Sequence, residues 1–203
     1  MINKLKWGSK VVSEDGKEVG KLLSIVMYPN KKQITHIVVE KGFFNRTEKL
    51  IPIENIVFAA KDEVRINVKS DSVNKFKDFE SIQFIEGENE NENITPIYWY
   101  RPVDAYTELY PLPLYGAKQN IPKGEEYLEE GSCIFSVDNE ELGYIKSLIC
   151  NSEGNITHVI IDTKQFSSKG DKLIPVDWIK KIKECKIYLS MTYKFVEDLP
   201  EYK

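Results

Sequence analysis

The chain repeats itself, and a duplicated unit constrains a fold more tightly than any local propensity. Displaced by 123 positions, Gly8-Ser9 falls on Gly131-Ser132, Ser13 on Ser136, Asp15 on Asp138, Glu18 on Glu141, Gly20 on Gly143 and Ser24 on Ser147. After a one-residue deletion Ile34-Thr35-His36 meets Ile156-Thr157-His158. The register then recovers, so that Lys49-Leu50-Ile51-Pro52 meets Lys172-Leu173-Ile174-Pro175 and Ile56 meets Ile179. Between the identities character is kept: Val19 becomes Leu142, Ile53 Val176, Glu54 Asp177 and Ile66 Leu189. Two copies of one unit therefore account for most of the 203 residues.

Each copy reads as β-structure. Val19–Met27 and Leu142–Cys150 are apolar-rich runs that follow Glu14-Asp15-Gly16-Lys17 and Val137-Asp138-Asn139-Glu140. Asp-Gly and Asp-Asn suit a tight hairpin because the second residue reaches positive φ at little cost. Gly20 and Gly143 fall inside these strands, where a missing Cβ marks a bulge or sharp bend. Further strands are predicted over 33–40 and 155–162, then a short one ending at Leu50-Ile51 or Leu173-Ile174. Pro52 and Pro175 are expected to open a short turn or helix reaching Ile56 or Ile179. A last strand is predicted over 63–68 or 186–191. Short strands separated by turns at this spacing indicate a small all-β barrel in each copy.

Between the copies the material changes. Gly87-Glu88-Asn89-Glu90-Asn91-Glu92-Asn93 has no apolar residue and is expected to be solvated, and residues 96–122 are dense in Pro and Tyr around Trp99. The division is therefore 1–86 for the first copy, 87–123 for a partly disordered connector and 124–203 for the second copy. Charge follows it: residues 1–86 carry 15 basic and 12 acidic side chains, 87–130 carry 3 and 9, and 131–203 carry 10 and 11. The net charge of −4 thus originates in the connector, and a dedicated nucleic-acid or polybasic membrane binder is disfavoured. No apolar run approaches the roughly 18–20 residues that span a bilayer, and the first residues lack the apolar stretch of a secretory signal.

Gly8-Ser9-Lys10-Val11-Val12, Asp15-Gly16-Lys17-Glu18-Val19-Gly20, Thr35-His36-Ile37-Val38-Val39 and Leu50-Ile51-Pro52 resemble the PRC-barrel family. That β-barrel fold is shared by the photosynthetic reaction-centre H subunit and the small-subunit ribosome maturation factor. The second copy carries the same signature in Asp138-Asn139-Glu140-Glu141-Leu142-Gly143, Thr157-His158-Val159-Ile160-Ile161 and Leu173-Ile174-Pro175, with Asn139 in place of the turn glycine. The whole looks most like bacterial proteins carrying two such domains in tandem. The resemblance implies docking modules that bind other macromolecules without chemistry of their own, and a cytoplasmic, bacterial setting.

The candidate chemical groups each have a structural reading. His36 and His158 are the only histidines and occupy matching places; one imidazole per copy, without ligands nearby in sequence, fits packing better than a metal site or proton switch. Cys133, Cys150 and Cys185 all lie in the second copy, without C-x-x-C spacing or a selected partner, and read as reduced, inert thiols. Lys4, Lys6, Lys10 and Lys31-Lys32 could touch phosphate or lipid, but lysines at turns and edges more commonly serve solubility. No phosphate-binding glycine loop or nucleophile elbow is present. No catalytic residue, metal site or cofactor is expected.

What remains is surface. Ile37, Val38 and Val39, like Val159, Ile160 and Ile161, present apolar side chains on both faces of a strand, and each such side chain left bare would forgo roughly 1.5–3 kcal/mol. Ile37, Val39, Val159 and Ile161, with Tyr98, Trp99 and Tyr100 of the connector, are the candidate interaction residues. Their expected occupants are the other copy in a pseudo-two-fold pair, the connector, or a second chain. The reading is a non-enzymatic scaffold for an unidentified protein partner. A ribosome-assembly or RNA-processing factor and a peripheral membrane component are the alternatives.

Overall fold

A computed structural model describes residues 4–42, 46–60, 62–84, 94–97, 115–151, 153–164 and 170–202. The first copy contributes β1 (Lys4–Lys6), β2 (Lys10–Val12), β3 (Glu18–Tyr28), β4 (Gln33–Lys41), β5 (Thr47–Pro52), β6 (Ile56–Ala60) and β7 (Glu63–Ile66). Then come β8 (Glu80–Phe84), β9 (Ile94–Ile97) and β10 (Tyr115–Gln119). The second copy contributes β11 (Glu126–Glu129), β12 (Cys133–Phe135), β13 (Glu141–Cys150), β14 (Ile156–Asp162), β15 (Asp171–Pro175), β16 (Ile179–Lys183) and β17 (Lys186–Leu189), followed by α1 (Tyr193–Glu197). The chain is all-β, and its two large sheets repeat one topology: β5-β4-β3-β2-β7-β6 and β15-β14-β13-β12-β17-β16. In both, the first short strand pairs in parallel with the last, β2 with β7 and β12 with β17.

The hydrogen-bonded path of each sheet ends at β5 and β6, or β15 and β16, so closed barrels are not what the ladders form. The corner is turned covalently instead. A 3-10 turn at Ile53–Asn55, or Val176–Trp178, links the two end strands, with Pro52 or Pro175 flanking it as N-cap rather than opening it. It delivers Ile51 and Ile56, or Ile174 and Ile179, to the same core.

The turn and bulge expectations match the backbone. Gly16 has φ of 76° and Asn139 of 65°, so both occupy the left-handed region that the hairpin requires. The ladder slips beside Gly20 and Gly143: Val11 pairs Gly20 but Val12 pairs Glu18, and Ile134 pairs Gly143 but Phe135 pairs Glu141. At this bend the backbone runs against its neighbour so closely that a Cβ on Gly20 would lie 2.2 Å from the Glu40 carbonyl oxygen, and one on Gly143 2.1 Å from that of Asp162.

The sequence does not announce how the copies join. β1 adds to the second copy's sheet through β13, and β11, its counterpart, adds to the first copy's sheet through β3. The exchange is reciprocal in register: Leu5 pairs Leu148 and Leu128 pairs Ile25. Leu5, Leu128, Ile25 and Leu148 all lie within one buried cluster that runs through both copies. The hairpin turns preceding β4 and β14 also meet. Ile34 N–H donates to the Gly154 carbonyl at 3.3 Å and Ile156 N–H to the Lys32 carbonyl at 3.0 Å, again a reciprocal pair.

The outer face of the first sheet has its own cover. Val26, Val38, Leu50 and Phe79 form a second buried cluster, closed by Leu23, Ile121 and Tyr127, with Phe79 and Tyr127 edge-to-face at 5.5 Å. In the second copy Tyr202 takes the place of Phe79: its N–H donates to Asp171 O as that of Phe79 donates to Glu48 O. Lys4 lies over the Tyr202 ring where the first copy uses Tyr127. The connector contains strands that the composition did not reveal, since β9 and β10 join β8 in a three-stranded sheet. Residues 87–93 lie outside the described residues.

Two outcomes test this arrangement. Leu5→Ala and Leu128→Ala should each cost about 2–5 kcal/mol in a denaturant titration, the cost of truncating a core leucine, although Leu5 stands at a terminus where change is ordinarily tolerated. Gly20→Val should fail to give a cooperative thermal transition by circular dichroism, because the carbonyl in its way is main chain and cannot swing aside.

Candidate functional site

The two histidines sit alike on β4 and β14, each the second strand of its sheet. His36 Nδ1 lies 3.0 Å from Thr35 Oγ1, and His158 Nδ1 3.2 Å from Thr157 Oγ1. The Thr157 hydroxyl donates to Ile149 O at 3.1 Å. In the first copy Glu125 enters from the segment before β11, its side chain only 2% exposed, and accepts a hydrogen bond from the Thr35 hydroxyl at 2.5 Å. Thr35 Oγ1 is thereby left to accept from the His36 ring. A buried carboxylate must be hydrogen-bonded, and here the bond fastens the start of the second copy to β4. Among the described residues no three His, Cys, Asp or Glu side chains gather as metal ligands would.

The thiols are all held protonated. Burial pushes Cys150 up to about 12 and Cys185 to about 11, while burial and the Glu141 carboxylate raise Cys133. Cys185 lies in the turn between β16 and β17 and bonds the Tyr127 hydroxyl, whose own proton is held more firmly by burial first and Cys185 second. The same turn packs on β11 through Glu184 N–H to Glu126 Oε2 at 3.1 Å. These contacts lock the exchanged strand.

Two residue types read as solvent-facing do internal work. Lys32 donates from Nζ to the carbonyls of Val176 at 2.9 Å and Ile179 at 2.6 Å, tying the first copy's hairpin to the second copy's 3-10 turn. Its burial lowers its proton affinity, against the opposing pull of Asp177. The solubility role expected of Lys32 is thus corrected: carbonyls of the 3-10 turn and the start of β16 recruit it inward. Asp15 and Asp138, read as hairpin residues, also cap the segment after each sheet. Asp15 accepts from Ser70 N–H and hydroxyl at 2.9 and 2.8 Å, and Asp138 accepts from Tyr193 N–H at 3.2 Å. Hydrogen bonds from Ser70 and Ser13 hold the Asp15 carboxyl well below the usual carboxylate range.

Of the candidate interaction residues, Ile37, Val39, Val159 and Ile161 belong to the cluster shared by both copies and meet the interior of this chain. Val38 turns outward under Phe79. Tyr98, Trp99 and Tyr100 lie outside the described residues.

The site that sequence reasoning missed is an acidic cleft on the outer face of the first sheet. It has a volume of ≈220 Å³ and is lined by Trp7, Gly8, Lys21, Leu22, Leu23, Glu40, Glu129 and Glu130. Glu48 pairs Glu40 across β5 and β4, so their side chains stand side by side. Burial, then Glu80, Glu40 and Glu129, pushes the Glu48 carboxyl up; burial and then Glu80 does the same to Glu129. Among the described residues Lys21 lines the cleft opposite Glu40, and the mostly exposed Arg46 donates to Glu40 at 2.9 Å. Trp7 is 4% exposed, and its Nε1–H has no acceptor. A signal for this cleft was present in the sequence, in the differences between the copies rather than their identities: Leu23 stands against Lys146, and Glu129 against Lys6.

With this geometry established, comparison adds one match. A family model described as PRC-barrel domain covers residues 7–73 and 130–191, more than half of the chain and one segment in each copy. No curated protein matches it.

The clustered carboxyls have a stability consequence. In the folded chain Glu48 and Glu129 hold protons more tightly than in the unfolded chain, so their ionisation disfavours folding. That penalty is absent well below the unfolded value of 4.5 and grows as pH rises through the elevated folded values. Glu129→Gln should therefore melt higher than the wild type near neutral pH, with the gain vanishing below about pH 4, as thermal melts across that range will read.

Proposed function

Because the chain belongs to the PRC-barrel family, we propose that it is a non-enzymatic scaffold that holds a protein partner by an edge of its first sheet. One observation carries this reading: the two copies treat the same edge differently. In β6 the outward positions are Val57 and Phe58, 49% and 40% exposed, whereas the equivalent positions of β16 are Lys180 and Lys181. Lysines on an edge strand discourage pairing with foreign strands, and apolar side chains invite it. After duplication one edge is thus guarded and the other is not.

Other features support the scaffold reading. Arg65 lies over the Phe58 ring at 5.9 Å, giving the apolar pair a charged margin of the kind interfaces use. The thiols are held protonated and both histidines are engaged with neighbouring threonines, which supports a binding role for this chain. No helix among the described residues is long and apolar enough to cross a membrane. A partner laid against β6 would cover the apolar Val57–Phe58 surface, whose burial supplies affinity and whose shape supplies selectivity.

The test makes the first edge resemble the second. The paired substitution Val57→Lys with Phe58→Lys should leave the melting temperature within a degree or two of wild type, since both side chains are already half in solvent. It should abolish capture of the partner that tagged wild-type protein retains from extracts of its own cells. Equal capture by the variant would remove the edge from the reading.

A further inference from the structure

The acidic cleft has a counterpart in the second copy, and the counterpart is filled. There Lys146 occupies the bulge position that Leu23 holds in β3. Its Nζ lies 2.6 Å from Asp171 Oδ2, and Asp171 stands where Glu48 stands. Asp162, the equivalent of Glu40, adds to the field that strengthens the lysine's hold on its proton, after Asp171 itself. The second copy therefore supplies an ammonium group to its own carboxylates.

The first copy keeps the carboxylates and has no ammonium at the bulge position, its own lysine, Lys21, lining the cleft opposite Glu40. Glu40 and Glu48 remain paired across the strands, and Glu129 is added where the other copy has Lys6. Leu23 leaves an apolar stem-way instead of a charge, and Trp7 forms part of the same wall, nine-tenths buried with its indole N–H lacking an acceptor. Lys21 and Arg46 stand on the Glu40 side, and Arg46 is committed to Glu40. Neither takes the place of Lys146, and the Glu48 and Glu129 carboxyls remain elevated, both by burial first and by Glu80 second.

We propose that this cleft binds an alkylammonium group, its carbon stem lying along Leu23 and Trp7 and its nitrogen entering among Glu40, Glu48 and Glu129 as Lys146 does in the second copy. Such a group relieves the like-charge repulsion of the cleft and makes charge-assisted hydrogen bonds in a partly desolvated setting. A lysine side chain of a polypeptide and a free polyamine share this chemistry. The site uses none of the residues of the β6 edge, so either reading can fail without the other.

The experiment is a titration of the full chain at neutral pH, followed by the indole N–H resonance of Trp7, assigned by its loss in Trp7→Phe. The probes are spermidine, the capped tripeptide acetyl-Gly-Lys-Gly-amide, and the same peptide acetylated on the lysine. A saturable shift with spermidine, the free-lysine peptide or both, and none with the acetylated peptide, is the expected result; the tighter of the two identifies the source. Leu23→Lys, which gives the first copy an ammonium at the bulge position, should abolish the shift while the protein stays folded. Glu48→Gln should weaken binding about tenfold, the loss of one charge-assisted contact. The proposal is overturned if neither amine saturates the signal at millimolar concentration, if the acetylated peptide binds equally, or if Glu48→Gln binds as wild type does. Should Leu23→Lys not fold, the Glu48→Gln and acetyl-lysine comparisons decide alone.

Discussion

The reciprocal exchange of β1 and β11 is the constraint on which the rest of the structure depends. Each sheet lacks a strand that its own segment of chain cannot place, and each receives it from the other copy in the same register, Leu5 on Leu148 and Leu128 on Ile25. A strand edge left without its partner would expose backbone donors and acceptors together with the leucines beneath them, and both losses are avoided by one swap. The hairpin contact of Ile34 with Gly154 and of Ile156 with Lys32 repeats the symmetry at a second point. The result is a symmetric dimer's geometry held within one chain.

Covalent linkage frees the halves to diverge, and the divergence is concentrated at their surfaces. Inside, the correspondence is close: the glycine bends, the aspartate caps and the threonine–histidine pairs recur. Outside, Val57 and Phe58 face Lys180 and Lys181, Leu23 faces Lys146, and Glu129 faces Lys6. A true homodimer would present every surface twice. This chain presents a lysine-bearing strand in one copy and an apolar one in the other, and a carboxylate pair joined by Lys146 in one copy beside an acidic cleft in the other.

Much of the interior was legible because it rests on short-range rules. Asp-Gly and Asp-Asn demand positive φ at their second residue, and Gly16 and Asn139 have it. Apolar runs on both faces of β4 announce cover on both sides, and Ile37 and Val39 lie in one cluster while Val38 lies in the other. The misses arise where a residue's role is set by something distant in sequence. Lys32 looks like a turn lysine until carbonyls more than a hundred residues away claim it. Glu125 looks like one more acid at the start of the second copy until Thr35 is found within 2.5 Å. The strands of the connector carry no periodicity that composition could reveal, since β9 is only four residues long.

The amino-acid sequence by itself determined that the chain is two copies of one β unit, where each turns, and which side chains need burial. These follow from backbone preferences and side-chain polarity, which act over a few residues. Only the tertiary structure decided which copy each short strand serves, what lies over each apolar face, and that Leu23 and Lys146 stand at equivalent bulges beside paired carboxylates. Such facts belong to proximity between distant segments, and a list of residues does not contain distances.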